Sequence, residues 1–181
     1  MPAPPQAPSA RRTELLELAY AYVLQHGMGG MSLRPLAEAI GSSPRVLLFL
    51  FGSKDGLVQA LLERSRADEV ALVQQVRDGD GGAAEAAWRI WSWLAAPAHR
   101  DLLRLWAEGY GRSLVEPDGA WGGYAQRSVA DWLAILGDTG ADPVAATAAL
   151  AVLRGALLDL LATGDEERTT AAVRRALTPL R

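Results

Sequence analysis

Helix-breaking residues at short, regular intervals constrain the fold of this chain more than any other feature of its sequence. Gly27 and Gly41 each follow an apolar helical pattern, and Asp142-Pro143 has the form of a cap followed by a first-turn proline. Ala and Leu dominate the segments between the breakers, whereas β-branched residues are sparse, and this balance favours helix over strand. The pattern predicts an all-α fold of about nine helices, and a length of 181 residues fits one large domain or two small ones that share a core.

The predicted helix boundaries follow from caps and breakers. Ser32, Ser43 and Ser53 are predicted N-caps, because a serine hydroxyl can accept a backbone N–H bond in the first helical turn. Residues 1–10, rich in Pro and Ala, are predicted to be a disordered leader, and the Gly/Asp-rich segment 78–82 a hinge loop. The predicted helices are 11–26, 33–40, 44–51, 54–77, 83–96, 98–115, a seventh ending at 136, 143–163 and a ninth after 165.

Composition excludes several kinds of chemistry. The chain has no cysteine, which excludes a disulfide scaffold, a thiolate zinc site and a cysteine nucleophile. Its two histidines, His26 and His99, are far apart in sequence, and no metal-ligand spacing, nucleophile elbow or phosphate-binding loop is present. We therefore predict no catalytic residue, no metal and no cofactor, although a carboxylate pair in a helical cavity would leave an enzyme as an open alternative.

One segment has the apolar character of a membrane span. Residues 143–163 are apolar on nearly every face, but Arg154 and Asp159 interrupt them, and each would cost roughly 2.5–3.5 kcal/mol at a bilayer centre. The segment is predicted to be a buried helix, so no membrane contact is expected. No signal peptide is recognisable at the N-terminus, and the expected location is the cytoplasm.

Charge is distributed unevenly along the chain, whose net charge is −3. Residues 1–66 contain seven basic and five acidic residues, whereas the remainder contains eleven basic and sixteen acidic residues. Any contact with a polyanion is therefore expected in the N-terminal third.

The second and third predicted helices have the spacing of a helix-turn-helix, joined by residues 40–43. Small apolar residues that include Leu36 and Ala37 would let the two helices cross closely, and Gly41 would make the turn. In such a motif the N-terminal end of the second helix enters the major groove, where Ser42, Ser43 and Arg45 would meet DNA.

Residues 11–64 resemble the DNA-binding domain of the TetR family. The matching runs are Ser-Leu-Arg-Pro-Leu-Ala-Glu-Ala-Ile-Gly-Ser-Ser at 32–43 and Phe-Gly-Ser-Lys-Asp-Gly-Leu at 51–57. The resemblance implies a three-helix helix-turn-helix domain, a connecting helix with its hinge loop, and a ligand-binding and dimerisation domain. The corresponding ranges are 11–53, 54–82 and 83–181.

The resemblance also implies a set of DNA contacts. Ser32 and Arg34 would bind phosphates, as would Lys54 at the start of the fourth helix, where charge and helix dipole act together. The chain departs from the family in placing Leu48 and Phe49 where a Tyr and a His are usual, and apolar side chains can touch thymine methyl groups instead. Arg45 is expected to carry most of the direct readout. The predicted DNA-binding set is Ser32, Arg34, Ser42, Ser43, Arg45, Val46, Leu48, Phe49 and Lys54.

All six tryptophans lie in residues 83–181. Clustered aromatic rings with indole donors suit a pocket for a flat, largely apolar ligand, and ordinary core packing is the alternative. His99 and Asp131 are further candidates for polar contacts there. The predicted ligand-binding set is Trp88, Trp91, Arg104, Trp106, Tyr110, Tyr124 and Trp132.

A helix that is apolar all round needs cover on two sides. The family pairs its last two long helices with those of a second subunit, which implies a homodimer with recognition helices roughly 34–36 Å apart. The predicted interface residues are Leu150, Leu153, Leu157, Leu161, Val173 and Leu177.

The resemblance to the TetR family implies a transcriptional regulator, a repressor that leaves its double-stranded DNA operator when a small-molecule effector binds. A helical protein-interaction module of the same fold that has lost specific DNA binding is the alternative, supported by the apolar Leu48 and Phe49. Salt dependence separates the two, since DNA binding weakens steeply as salt rises and an apolar protein contact does not.

Overall fold

A computed structural model describes residues 9–77 and 83–178, and these ranges confirm the predicted all-α fold. Residues 1–8 of the predicted leader and the predicted hinge loop at 78–82 lie outside the described residues. Ser9 and Ala10 do not belong to a leader, because Ser9 caps the first helix and Ala10 begins it. The described helices are α1 (Ala10–His26), α2 (Leu33–Ala39), α3 (Pro44–Phe51), α4 (Lys54–Arg77), α5 (Ala83–Ala95), α6 (Arg100–Val115), α7 (Tyr124–Gly137), α8 (Pro143–Thr163) and α9 (Glu166–Leu177).

Serine capping is confirmed at two of the three predicted positions. The hydroxyls of Ser43 and Ser53 accept backbone N–H bonds at 3.3 and 2.9 Å in the first turns of α3 and α4. Ser32 has the extended backbone of an N-cap but makes no side-chain capping bond, so that prediction is wrong. Its exposed hydroxyl is therefore not engaged at the start of α2.

The largest boundary difference lies between α5 and α6. Residues Pro97–His99 form a single 3₁₀ turn, so α6 begins at Arg100 and not at residue 98. Proline suits the first position of such a turn, since it has no N–H to donate. The His99 ring bonds the carbonyl oxygen of Trp93 at 2.7 Å and stacks on its indole, which accounts for this histidine structurally.

The helices share one continuous apolar core, in which α4 is the central element. It packs against α1 and α3 on one side and against α5, α6 and α7 on the other. The N-terminal helix-turn-helix and the C-terminal bundle are therefore joined by packing as well as by the chain. A rearrangement in either part is transmitted directly to α4.

The predicted dimer contacts on α8 and α9 need correction. Leu150, Leu153 and Leu157 are at most 5% exposed, and Val173 and Leu177 are equally buried, so these five side chains belong to the protomer's own core. Leu161 is half-buried. Because α8 is apolar on all sides, its sequence does not show which side packs inward.

A different side of α8 is uncovered. It is a continuous stripe of apolar and small side chains, and Val144 and Leu158 are 79% and 48% exposed. By length and composition alone α8 could cross a membrane, but a core helix of a soluble protein meets the same criterion, and α8 carries six buried residues. We name this uncovered surface the α8 stripe: Val144, Ala148, Ala151, Gly155, Leu158 and Ala162.

Candidate functional site

The turn between α2 and α3 has the predicted helix-turn-helix geometry. Gly41 adopts a positive φ of 63°, a conformation that favours glycine, and the next amide, Ser42 N–H, donates to the Ala37 carbonyl at 2.8 Å. Leu47 and Phe51 are buried behind this turn. The opposite face of α3 is thereby held toward solvent.

That outward face of α3 is mostly apolar. Phe49 is 85% exposed, Leu48 41% and Val46 38%, and Arg45 is exposed beside them. An 85% exposed phenylalanine on a rigid helix is unusual unless a partner covers it. We call the exposed side chains of Arg45, Val46, Leu48 and Phe49 the recognition face.

Arg12 anchors the other end of α3, a role that the sequence analysis missed. Its Nε donates to the Leu50 carbonyl at 3.3 Å, and its guanidinium lies 4.8 Å from the centre of the Phe51 ring. Nothing in the sequence separates Arg12 from its neighbour Arg11, which instead pairs with Glu14 at 2.8 Å. Only the fold brings Arg12 to the C-terminal end of the recognition helix.

Three exposed cations on this domain have no ion-pair partner among the described residues. They are Arg34 on α2, Arg45 on α3 and Lys54 at the start of α4. By contrast, Arg64 pairs with Glu17 at 2.7 Å. These three cations thus lie on α2, on α3 and at the start of α4, together with the exposed carboxylates of Glu38 and Asp55, which likewise have no ion-pair partner among the described residues.

The predicted serine contacts differ in accessibility. Ser32 and Ser43 are exposed, although the hydroxyl of Ser43 is already occupied as a helix cap. The Ser42 hydroxyl oxygen is buried and has no hydrogen-bond partner in the described structure. Of the predicted set, Ser42 is thus the residue whose side chain is least able to meet DNA.

The structure divides the predicted ligand-binding residues into two groups. Trp91 donates from Nε1 to Thr170 on α9 at 3.0 Å, and Trp88 lies under Arg174 in a surface cavity of about 440 Å³ between α5 and α9. Arg104 is exposed and pairs with Asp101. These residues therefore lie apart from the four aromatic residues Trp106, Tyr110, Tyr124 and Trp132.

The second group packs between α4, α6, α7 and α8. Trp106 Nε1 donates to the Ser128 hydroxyl at 3.1 Å, and Arg154 bonds both Ser128 and the Tyr110 hydroxyl at 3.1 and 3.2 Å. The Arg154 guanidinium also lies 4.9 Å from the centre of the Tyr110 ring. We call this group with its polar partners the aromatic core.

Glu69 is the main functional candidate that the sequence analysis missed. This α4 side chain is 2% exposed and accepts a 2.6 Å hydrogen bond from Trp132 Nε1, but it makes no salt bridge within the described residues. Burial raises the pKa of the Glu69 carboxyl to about 7. The sequence contained one signal for this position. Glu69 lies four residues after Ser65 and eight after Leu61, which are both buried, so the three residues share one side of α4.

Three buried hydroxyl groups lie on helices α1, α4 and α7. The oxygens of Tyr20, Ser65 and Tyr124 are buried without a hydrogen-bond partner among the described residues. They bring together α1, α4 and the start of α7, where the helix-turn-helix meets the C-terminal bundle.

Two further contacts join the halves of the protein. Arg66 on α4 makes a bidentate ion pair with Asp131 on α7, at 2.5 and 2.8 Å. The carboxylate of Glu108 on α6 accepts the Met28 backbone N–H at 2.9 Å, in the loop between α1 and α2. Both α6 and α7 are thus tied to elements that position the recognition face.

Among the described residues, no group of three or more His, Asp or Glu side chains is placed to hold a metal ion.

Comparison with known proteins identifies the N-terminal domain. Residues 15–61 match the sequence model of the bacterial regulatory proteins of the tetR family. This range contains α2, α3 and the start of α4, and so includes the recognition face and all three unpaired cations. No protein in the curated set matches the chain significantly.

Solved structures match almost the whole chain. The multidrug binding protein EbrR, complexed with imidazole, is 27% identical with a TM-score of 0.71, over 93% of this chain and 90% of that chain. Its ethidium complex is also 27% identical, with a TM-score of 0.71, over 92% and 98% of the two chains. A transcriptional regulator from Rhodococcus sp. Rha1 shares the fold at 22% identity, with a TM-score of 0.72, over 92% and 93%.

The family match and the fold agree with the helix-turn-helix geometry. TetR-family proteins are DNA-binding regulators and not enzymes, so the enzyme alternative falls away. Residues 15–61 carry the sequence pattern of the tetR-family DNA-binding domain, and almost the whole chain has the all-helical fold of TetR-family transcriptional regulators.

Proposed function

We propose that this protein is a cytoplasmic repressor that binds a DNA operator as a homodimer and leaves it when a flat, positively charged aromatic ligand binds. The observation that carries the DNA-binding part is the group of unpaired cations Arg34, Arg45 and Lys54 around the recognition face. The phosphates of DNA would supply the negative charge that these three cations do not find within the protein. Lys54 would bind phosphate at the N-terminus of α4, where the helix dipole adds to its charge.

The α8 stripe supports the dimer. An uncovered apolar side on a long helix is stabilised by an identical side from a second copy, because a two-fold interface is self-complementary. Small residues such as Ala151 and Gly155 let two helices approach closely. The two recognition faces would then meet successive turns of the major groove, roughly 34–36 Å apart.

The buried carboxyl group of Glu69 supports the proposal that the ligand is a positively charged aromatic compound. Burial makes the ionised Glu69 carboxylate costly, and the nearby positive charges of Arg154 and Arg66 offset only part of that cost. A cation placed against the carboxylate would offset more of it. The rings of Trp106, Tyr110 and Trp132 supply flat surfaces beside it. EbrR has been solved with ethidium and with proflavin, which are flat aromatic compounds, and this chain would take ligands of the same kind.

Release follows from the shared helix α4. The aromatic core is packed, so a ligand must move its rings apart, and Trp132 is bonded to Glu69 on α4. A ligand that prefers the displaced arrangement lowers DNA affinity by the same factor that DNA lowers ligand affinity. The Arg66–Asp131 ion pair carries the same displacement from α7 to α4.

The DNA-binding part is tested by the salt dependence of affinity. Replacing Lys54 by alanine should lower affinity for specific and random duplexes alike and reduce the slope of log affinity against log salt by about two, because each protomer of the dimer loses one phosphate contact. Arg104→Ala is the matched control, since this exposed arginine lies on α6 and is already paired. It should leave both quantities unchanged, and titration by fluorescence anisotropy at several salt concentrations measures them. A binding constant that does not vary with salt in the wild type would contradict the proposal.

The ligand part is tested with ethidium, whose positive charge does not depend on pH. Because the pKa of Glu69 is raised to about 7, its carboxyl group is largely neutral at pH 6 and ionised at pH 8. Wild-type affinity for ethidium should therefore rise from pH 6 to pH 8, by about tenfold for the gain of one buried opposite charge. Glu69→Gln should bind more weakly at pH 8 and show little change with pH.

Glu85→Gln separates this site from the surface cavity beside Trp88, which Glu85 lines. If ethidium binds against Glu69, this control variant should behave like the wild type in the same fluorescence titrations. Loss of binding in Glu85→Gln, with Glu69→Gln unaffected, would move the ligand to the surface cavity and refute the role of Glu69.

A further inference from the structure

We infer that the recognition face selects its operator through the C5 methyl groups of thymine, with Phe49 as the principal methyl-reading residue and Arg45 as the contact to guanine. This inference rests on the proposed DNA-binding function and specifies which chemical groups of the DNA it reads. Each operator half-site would place thymine methyl groups next to a guanine in the major groove.

The arrangement of α3 puts the relevant side chains together. Phe49 lies four residues after Arg45 and three after Val46, and residues at those spacings are neighbours on a helix surface. Leu48 extends the apolar area on one flank. Since Leu47 and Phe51 are buried on the opposite side and Arg12 holds the Leu50 carbonyl, the helix cannot rotate to hide Phe49 without breaking these contacts.

The chemistry of this face limits what it can recognise. Adenine is usually read by Asn or Gln and cytosine by Asp or Glu, and none of these residue types occurs on α3. Arg45 supplies the one charged donor group of the recognition face, and its fork fits the O6 and N7 acceptors of guanine. The apolar remainder, led by Phe49, is complementary to the only apolar group on the major-groove edge of a base pair, the thymine methyl.

The charges around the face favour DNA over an apolar protein as its occupant. Arg34 and Lys54 flank α3 on neighbouring helices and, like Arg45, have no ion-pair partner among the described residues. A DNA duplex offers phosphates to such a rim and methyl groups to its centre. The combination of an apolar centre and a cationic rim therefore matches a methyl-rich major groove.

The test replaces thymine by uracil, which removes only the methyl group. A duplex selected from random sequences by the wild-type protein is resynthesised with uracil at each thymine in turn. Burying one methyl group corresponds to about fourfold in affinity, so uracil should weaken wild-type binding about fourfold at each contacted position. In Phe49→Ala the ratio of thymine to uracil affinity should fall to about one at the position that Phe49 covers.

Arg34→Ala is the control, because a lost phosphate contact should weaken the thymine and uracil duplexes equally. Phe49 is 85% exposed, so Phe49→Ala should keep the wild-type melting temperature, and circular dichroism checks this. Equal affinity of the wild type for thymine and uracil at every position, with a selected duplex still preferred over random DNA, would overturn this inference alone. If no duplex is preferred over random DNA, the proposed DNA-binding function fails with it, and a protein partner becomes the occupant of the recognition face.

Discussion

Replacing Arg45 by alanine should remove most of the preference for the operator over random DNA while leaving weak, nonspecific binding nearly unchanged. Arg45 is the charged donor of the recognition face, and a bidentate arginine–guanine pair is worth about 1–3 kcal/mol of discrimination. Because the proposed dimer presents two copies of Arg45, we expect operator affinity to fall by at least about 30-fold. Competition between a selected duplex and a random one, followed by fluorescence anisotropy, measures the ratio directly.

Arg45→Lys distinguishes the loss of base reading from the loss of charge. Lysine keeps the positive charge but lacks the planar fork that grips two acceptors at once. This variant should keep the wild-type salt slope and still lose most of the discrimination. If Arg45→Lys binds the operator as well as the wild type, Arg45 acts as a phosphate contact and the readout must come from other residues.

Replacing Gly155 by arginine should convert the proposed dimer to a monomer. Gly155 lies in the middle of the α8 stripe, and a Cβ atom added there meets no atom within 4 Å in the protomer, so the fold of the single chain should persist. In the dimer the new charge would be buried in an apolar interface without a partner, at a cost of several kcal/mol. Dimer affinity should fall at least about 100-fold, and sedimentation equilibrium measures it. Operator binding should be lost with it, because one half-site alone holds the protein weakly.

Gly111→Arg provides a closely matched control. Gly111 is also an exposed helical glycine, on α6, with no atom within 4 Å of an added Cβ atom. Its substitution should leave both the dimer and operator binding unchanged. A Gly155→Arg protein that remains dimeric would place the interface on a surface other than the α8 stripe.

The fold was largely predictable because its helix ends are encoded locally. Ser43 and Ser53 cap the helices that the sequence assigned to them, and Gly41 makes the predicted turn with a positive φ. Such signals depend on a few neighbouring residues, so they can be read without tertiary information. Ser32 shows the limit of this approach, since the backbone has cap geometry but the hydroxyl is not used.

The faces of the helices were harder to predict than their ends. On α8 every side is apolar, so Leu153 and Leu157 were assigned to a partner subunit although they face the protomer's own core. The tryptophans posed the same difficulty, because spacing shows that Trp88 and Trp91 share a helix face but not that they pack toward α9. Which neighbour covers a face is decided by contacts between residues distant in sequence, and a single sequence does not encode those contacts locally.

A small tilt of helix α4 about one end produces a larger displacement at its other end. It begins at Lys54 and continues without interruption past Glu69, so these two residues lie about 22 Å apart at about 1.5 Å per residue. If α4 tilts about the end that carries Glu69 by only about 5°, Lys54 is displaced by about 2 Å at that length. A hydrogen bond to phosphate does not survive a displacement of that size. In the proposed mechanism, a tilt of α4 by about 5°, caused by the movement of an aromatic ring beside Glu69, is therefore enough to break the contact between Lys54 and a DNA phosphate.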